Sequence, residues 1–234
     1  MKEKTVLISM RHILKTIATP ILKLIEWLSD FHTSPLPPMD ERLKMIFNRY
    51  EIGTTRFIKK NLHGGVTFDI GANVGYYARL MASSADHVYA FEPDPDNFRI
   101  LEENCKQYPN ITPFHLAVCD RVGTADFFKV THSAMRHSLI DEGNTEKLSV
   151  PCTSLDAFIK ERGITGVSLM KIDVEGAEPL VFAGMRELLA KEHPIVIYEG
   201  DDPKAKAISE NGDIIKASDA RWWGSRKKVT NLVR

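Results

Sequence analysis

Acids and glycines recur in this sequence at places where a chain turns, and their spacing suggests a binding edge. Asp69-Ile-Gly-Ala-Asn-Val-Gly75 joins an acid to Gly71 and Gly75, whose missing Cβ atoms permit positive φ and close backbone approach to a ligand. Glu92-Pro93 lies 21 residues beyond Gly71, followed by Ala117-Val-Cys-Asp120, Asp173-Val-Glu-Gly-Ala-Glu178 and Glu199. One acid after one strand is often a helix cap. Five such acidic sites call for another explanation.

A glycine turn between a first strand and a helix serves two ligand classes, dinucleotides and S-adenosylmethionine. The dinucleotide form wants glycine at the first, third and sixth places, with the pyrophosphate at the helix N-terminus. Counted from Gly71, the third place is Asn73 and the sixth is Tyr76, so that pattern fails. Asp69 would repel phosphates but attract the ammonium and sulfonium of S-adenosylmethionine. Glu92 is spaced to accept from both hydroxyls of a ribose, each bond worth roughly 1.5–3 kcal/mol. Asp94 fits a capping role better than Glu92, because Pro95 follows it.

An acid beside a bound ligand could also serve as a base. Asp173, Glu175 and Glu178 follow one strand, and Asp173 is the first choice for a base or an acceptor-orienting acid. Glu175 and His137 come second. Histidine titrates nearer pH 7, but His137 lies in a stretch (131–145) whose course the sequence leaves open. Blander roles compete: Asp173 bonding its own turn, Glu178 enriching a helix first turn beside Pro179, His115 and His193 packed or capping. Lys171, inside the strand, can pair with one of these acids. No second acidic cluster stands at a spacing that calls for a metal.

The elements that position these residues alternate. Val66–Ile70, His87–Phe91, Ile111–Val118, Thr124–Val130 (after Gly123), Ser168–Ile172 and Ile195–Tyr198 read as strands. Helical spacing follows the first, second and fifth of them, the last helix reaching Leu189, and precedes the first over Asp40–Lys60. That order predicts an α/β fold: a mostly parallel sheet with helices on both faces and ligands beyond the strands' carboxyl ends.

The chain has 234 residues, 43% of them hydrophobic and 26% charged, with 31 basic against 31 acidic side chains. This suits one large domain with an appendage and excludes disorder or a fibrous repeat. Zero net charge removes the main electrostatic reason to expect nucleic acid. Three scattered cysteines without C-x-x-C fit a reducing compartment, hence a cytoplasmic expectation. The ends are basic: residues 1–28 carry net +3 and the last fourteen +5. Solvated termini explain this, as would an anionic membrane, a phosphorylated substrate or RNA. Leu7, Met10, Leu14, Ile17, Ile21, Leu24 and Leu28 form one stripe on a helix, or on two helices broken near Thr19-Pro20, in a run too charged to span a bilayer. It fits a helix on the core, with peripheral membrane docking as the open alternative. His32-Thr33-Ser34-Pro35-Leu36-Pro37-Pro38 reads as a linker.

The ordered runs Asp69–Gly75, Phe91-Glu-Pro-Asp-Pro-Asp-Asn-Phe98, Ala117–Gly123 and Lys171-Ile-Asp-Val-Glu-Gly-Ala-Glu178 resemble the motifs of FkbM-type S-adenosylmethionine-dependent methyltransferases over about residues 62–200. The resemblance implies a Rossmann-like class I methyltransferase fold with added N-terminal helices. It also implies O-methylation of a hydroxyl on a sugar, glycan or secondary metabolite. By the same resemblance Asp69, Gly71, Ala72, Asn73 and Gly75 hold the methionine end, Glu92 and Pro93 the ribose, and Ala117 to Asp120 the adenine. The expected division is 1–60 helical segment and linker, 61–200 methyltransferase domain, 201–234 basic extension. Two departures stand out: Met135-Arg136-His137 before Ser138-Leu139, and adjacent Trp222-Trp223. Arg136 suits an anionic substrate or solvent; the tryptophans suit a sugar ring or a core gap. Two other functions stay open: an NAD-linked oxidoreductase on the same architecture, and a non-catalytic donor-binding or membrane-docked module.

Overall fold

A computed structural model describes residues 43, 45, 46, 50–130, 137–139, 145–198 and 214–216, with backbone alone at 130, 137, 138, 145 and 214–216. The expected helix over 6–28, the linker, Arg136, Glu199 and Trp222-Trp223 lie outside the described residues. Among those described, no helix is long and apolar enough to cross a membrane.

After helix α1 (Ile52–Asn61) the chain lays down β1 (Val66–Ile70), α2 (Tyr76–Ala82), β2 (His87–Phe91), α3 (Pro95–Cys105) and β3 (Ile111–Phe114). A second series holds β4 (Ala117–Val118), β5 (Gly123–Val130), β6 (His137–Ser138) and β7 (Thr145–Thr153). The chain then continues through α4 (Leu155–Arg162), β8 (Val167–Ile172), α5 (Glu178–Ala183), α6 (Arg186–Glu192), β9 (Ile195–Tyr198) and β10 (Ile214–Lys216). The main sheet runs β10-β9-β8-β1-β2-β3, every pair parallel. Strand order reverses at β1, with β2 and β3 to one side and β8, β9 and β10 to the other. The carboxyl ends of β1 and β8 therefore flank a crevice of the kind that binds ligands in such sheets.

Both faces of the sheet are covered, which is why its strands are mostly apolar. Ile58, Leu62, Met81 and Leu101 close one face; Phe158, Val181, Phe182 and Leu188 close the other with Phe68 and Ile70 of β1. Alternation along β1 sends Thr67 and Asp69 to the opposite face from Phe68 and Ile70, and Asp69 stands beside Lys171 in register. Met45 and Ile58 belong to the same buried cluster as α2, so Met45 and α1 pack directly on the sheet-covering helices.

Four elements differ from expectation. The run Ile111–Val118 is two strands, because the chain leaves the main sheet after Phe114 and joins a smaller one, β4-β7-β5-β6. That sheet is built on Thr145–Thr153, which pairs antiparallel with Gly123–Val130 from Gly123↔Cys152 to Val130↔Thr145. Pro151 and alternating polar residues obscure this strand in the sequence. The helix expected to reach Leu189 breaks after Ala183: a Cβ at Gly184 would lie 2.0 Å from the Cys119 carbonyl oxygen, so only glycine lets the two segments touch. Beyond residue 200, Ile214–Lys216 pairs with β9 and extends the main sheet.

Candidate active site

The Asp69–Gly75 turn owes its geometry to close packing. Gly71 has φ +78°, and a Cβ there would sit 1.9 Å from the Asp173 carbonyl oxygen, so glycine brings the ends of β1 and β8 together. Its amides are engaged within the protein: Gly71 and Ala72 donate to the Phe91 carbonyl at 3.0 and 2.9 Å, and Gly75 to Ala72 at 2.8 Å. Asn73 donates to Glu92 Oε2 at 2.7 Å. A turn whose amides are committed in this way offers no ready cradle for a pyrophosphate.

Glu92 ends β2 and is buried, its Oε1 accepting from the Asp94 amide at 2.9 Å. Burial pushes its carboxyl up to about 8, against the pull of these two amides. Asp94 caps α3 as expected, accepting from the Asp96 and Asn97 amides at 2.8 and 3.0 Å. Lys129 of β5 reaches the same carboxylate at 3.0 Å, tying the small sheet to the end of β2.

At the end of β8, Lys171 is 3% exposed, and its ammonium lies 2.5 Å from Asp173 Oδ2 and 4.7 Å from the Tyr77 ring centre. Burial alone would lower Lys171; Asp173, Glu51 and Asp69 around it outweigh burial and hold it above its usual range. Tyr77 donates its phenol to Glu51 Oε2 at 2.5 Å, and burial together with that acid holds the phenol protonated. Asp69 is 1% exposed, with neither oxygen hydrogen-bonded among the described residues, and burial raises it to about 7.

These elements enclose a cavity of about 360 Å³. Gly71, Ala72 and Asn73 line it with Glu92 and Pro93; Leu116, Ala117 and Val118 form one wall; Asp173 and Glu175 another. So the strand-end residues named from sequence do meet, with exceptions. Asp69 sits behind the turn, facing Lys171, and is not in the lining. Gly75 is also outside the lining, and Asp120 is turned outward to Arg121 at 2.9 Å. The Leu116–Val118 wall stands where Ala117–Asp120 was expected. His137 lies in β6 opposite Lys129; its side chain is outside what the structure describes. Tyr50, Glu51, Tyr76, Tyr77 and Phe127, none picked out from sequence as site residues, also belong to the lining, as does Lys171. Tyr50 and Glu51 fall inside the stretch 40–60 that the sequence reads as helical, so no local signal marked them.

Residues 69–219 match the family described as methyltransferase FkbM domain. The hexuronic acid methyltransferase AglP of Haloferax volcanii is 30% identical over 151 residues, 62% of this chain and 62% of that protein. The 2-O-methyltransferase NoeI of Sinorhizobium fredii is 29% identical over 163 residues, 59% of this chain and 67% of its own. The 31-O-demethyl-FK506 methyltransferase FkbM of Streptomyces tacrolimicus is 28% identical over 177 residues, 56% and 66% respectively. The chain thus spans 62% of the length of the first of these curated relatives.

Proposed function

This chain belongs to the methyltransferase FkbM domain family, and on that premise we propose that it moves a methyl group from S-adenosylmethionine to a hydroxyl of a sugar, glycan or secondary metabolite. Glu92 supports this above all: a buried carboxylate in the cavity wall, beside a glycine turn whose amides are already engaged. It suits a ligand that donates hydroxyls and carries no phosphate. The names of two relatives, a 2-O-methyltransferase and a 31-O-demethyl-FK506 methyltransferase, support an oxygen acceptor, and that of the third, a hexuronic acid methyltransferase, supports a sugar-derived one.

The residues fit the donor. Gly71–Asn73 would face its methionine end, Glu92 and Pro93 its ribose, and the apolar wall Leu116–Val118 its adenine. S-adenosylmethionine brings a methyl already activated on a sulfonium. Asp69 lies behind the turn beside Lys171 and outside the cavity lining. Asp173 accepts the acceptor's proton, and Lys171 at 2.5 Å orients its carboxylate. A base so positioned is worth about 10²–10⁴ in rate. Glu175 and His137 are the second choices.

Calorimetry with S-adenosylhomocysteine and with NADH tests the donor: only the first should bind, and binding of NADH alone would refute the proposal. With tritiated-methyl donor and a panel of hydroxyl acceptors, Asp173→Asn should keep S-adenosylhomocysteine affinity within about twofold yet lose turnover by about 10²-fold or more. Undiminished turnover would move the base to Glu175 or His137.

A further inference from the structure

Lys171 is a buried cation set among groups from four elements. Its ammonium lies 2.5 Å from Asp173 Oδ2 at the end of β8 and 4.7 Å from the centre of the Tyr77 ring on α2. Asp69 stands beside it in register on β1, and Glu51, at the start of α1, adds negative charge to the same surroundings. The Tyr77 ring is itself fixed, packed against Tyr76 and Tyr50 with centres 5.0 and 6.5 Å away. Its phenol donates to Glu51 Oε2 at 2.5 Å. Tyr50 and Glu51 precede residue 69, where the family match begins, so part of this arrangement comes from outside the matched domain. Asp173 spends one oxygen, Oδ2, on Lys171, and its side chain, 27% exposed, lines the cavity.

We propose that Glu51 and Tyr77 are positioning residues for the base: they hold the Lys171 ammonium on Asp173 Oδ2, which leaves Oδ1 to take the acceptor's proton. The inference rests on the methyltransferase reading of the same cavity, with Asp173 as base. A lysine carries its charge on a flexible four-carbon stem, and one ion pair leaves the ammonium free to swing about its partner oxygen. The Tyr77 face adds a second attraction from another direction. A phenol that donates to a carboxylate gains electron density, so Glu51 strengthens the pull of the ring as well as supplying charge of its own. A carboxylate held at one oxygen by a fixed cation is restrained from rotating, and proton transfer needs that orientation. The competing role is plain anchoring of α1 on α2. Anchoring would use the same phenol bond and ring packing but would have no consequence at Lys171.

The test follows the Lys171 ammonium by proton–nitrogen NMR in the full chain labelled with nitrogen-15 lysine, alone and saturated with S-adenosylhomocysteine. Lys171→Met identifies the signal, which should exchange its protons slowly in the unmutated chain. Glu51→Gln keeps an acceptor for the phenol, and Tyr77→Phe keeps the ring; each should speed that exchange by about threefold or more. The two effects should not add, because both cut one link. With the hydroxyl acceptor that the tritiated-methyl panel labels fastest, Glu51→Gln should lower kcat by about fivefold or more while KM stays within about twofold. Beside Asp173→Asn it should lower kcat no further. Exchange unchanged in both variants overturns the proposal, even if their melting temperatures fall, since that is the signature of anchoring alone. So does a Glu51→Gln effect on kcat that persists in full beside Asp173→Asn. Fast exchange in the unmutated chain also overturns it, a measurement that stands even if the variants misfold. Failure of S-adenosylhomocysteine to bind while the ammonium stays protected would instead strike the methyltransferase reading, so the two failures are distinguishable.

Discussion

Glu92 is a carboxyl whose surroundings oppose one another. Burial raises it to about 8, while the Asn73 and Asp94 amides favour its charged form. Ribose hydroxyls donating into the same oxygens would tip it to the carboxylate, so donor binding should release a proton below pH 8 and tighten as pH rises toward that value. Glu92→Gln presents an NH₂ to one of those buried amides and removes the charge-assisted bonds. S-adenosylhomocysteine affinity should fall by about tenfold or more at pH 8.5, and its rise with pH should vanish, both read by calorimetry. Unchanged affinity would remove Glu92 from the ribose site. Alanine is the poorer choice, since it leaves two buried amides without an acceptor.

The cap of α3 joins three elements. Asp94 accepts from two amides of the helix, donates its own amide to Glu92, and receives Lys129 from β5. The small sheet is therefore anchored at the point where β2 delivers its acid to the cavity. Asp94→Ala should lower stability by about 2 kcal/mol in urea unfolding, combining a lost cap with a half-abandoned lysine. Asp94→Asn caps equally well but is uncharged, so it should recover the capping share only. Full recovery would show that Lys129 contributes nothing. The cap was readable because it is local: Asp-Pro before an apolar-periodic run carries its own signal. The partner of β5 was not, because Thr145–Thr153 acquires its strand character from pairing with Gly123–Val130 and holds Pro151 besides.

Over the whole molecule, two buried acids couple stability to pH. Asp69 and Glu92 titrate at 3.8 and 4.5 when unperturbed and at about 7 and about 8 in the fold. Between those limits the folded protein holds more protons than the unfolded chain, so stability falls as pH rises. Lys171 is raised, and its contribution stays constant below its ordinary range. Without donor, the melting temperature should drop by several degrees from pH 5.5 to 8.5, and Asp69→Asn should flatten the slope. A melting temperature that climbs across that interval would mean these acids are ionised at little cost. At this scale Gly71 also matters: it closes β1 on β8 where strand order reverses, and the cavity exists because of that closure.

Local chemistry in the chain by itself determined the alternating elements, the failed dinucleotide pattern, the Asp94 cap and the acids that end β1, β2 and β8. Each of these depends on neighbours a few residues apart. Which acids face the cavity was decided only by tertiary packing. β1 alternation turned Asp69 toward Lys171, the step between sheets put Leu116–Val118 rather than Asp120 in the wall, and α1 brought Tyr50 and Glu51 to β8. Those contacts join residues dozens to more than a hundred positions apart, and no local pattern encodes which side chains meet when a sheet reverses its order.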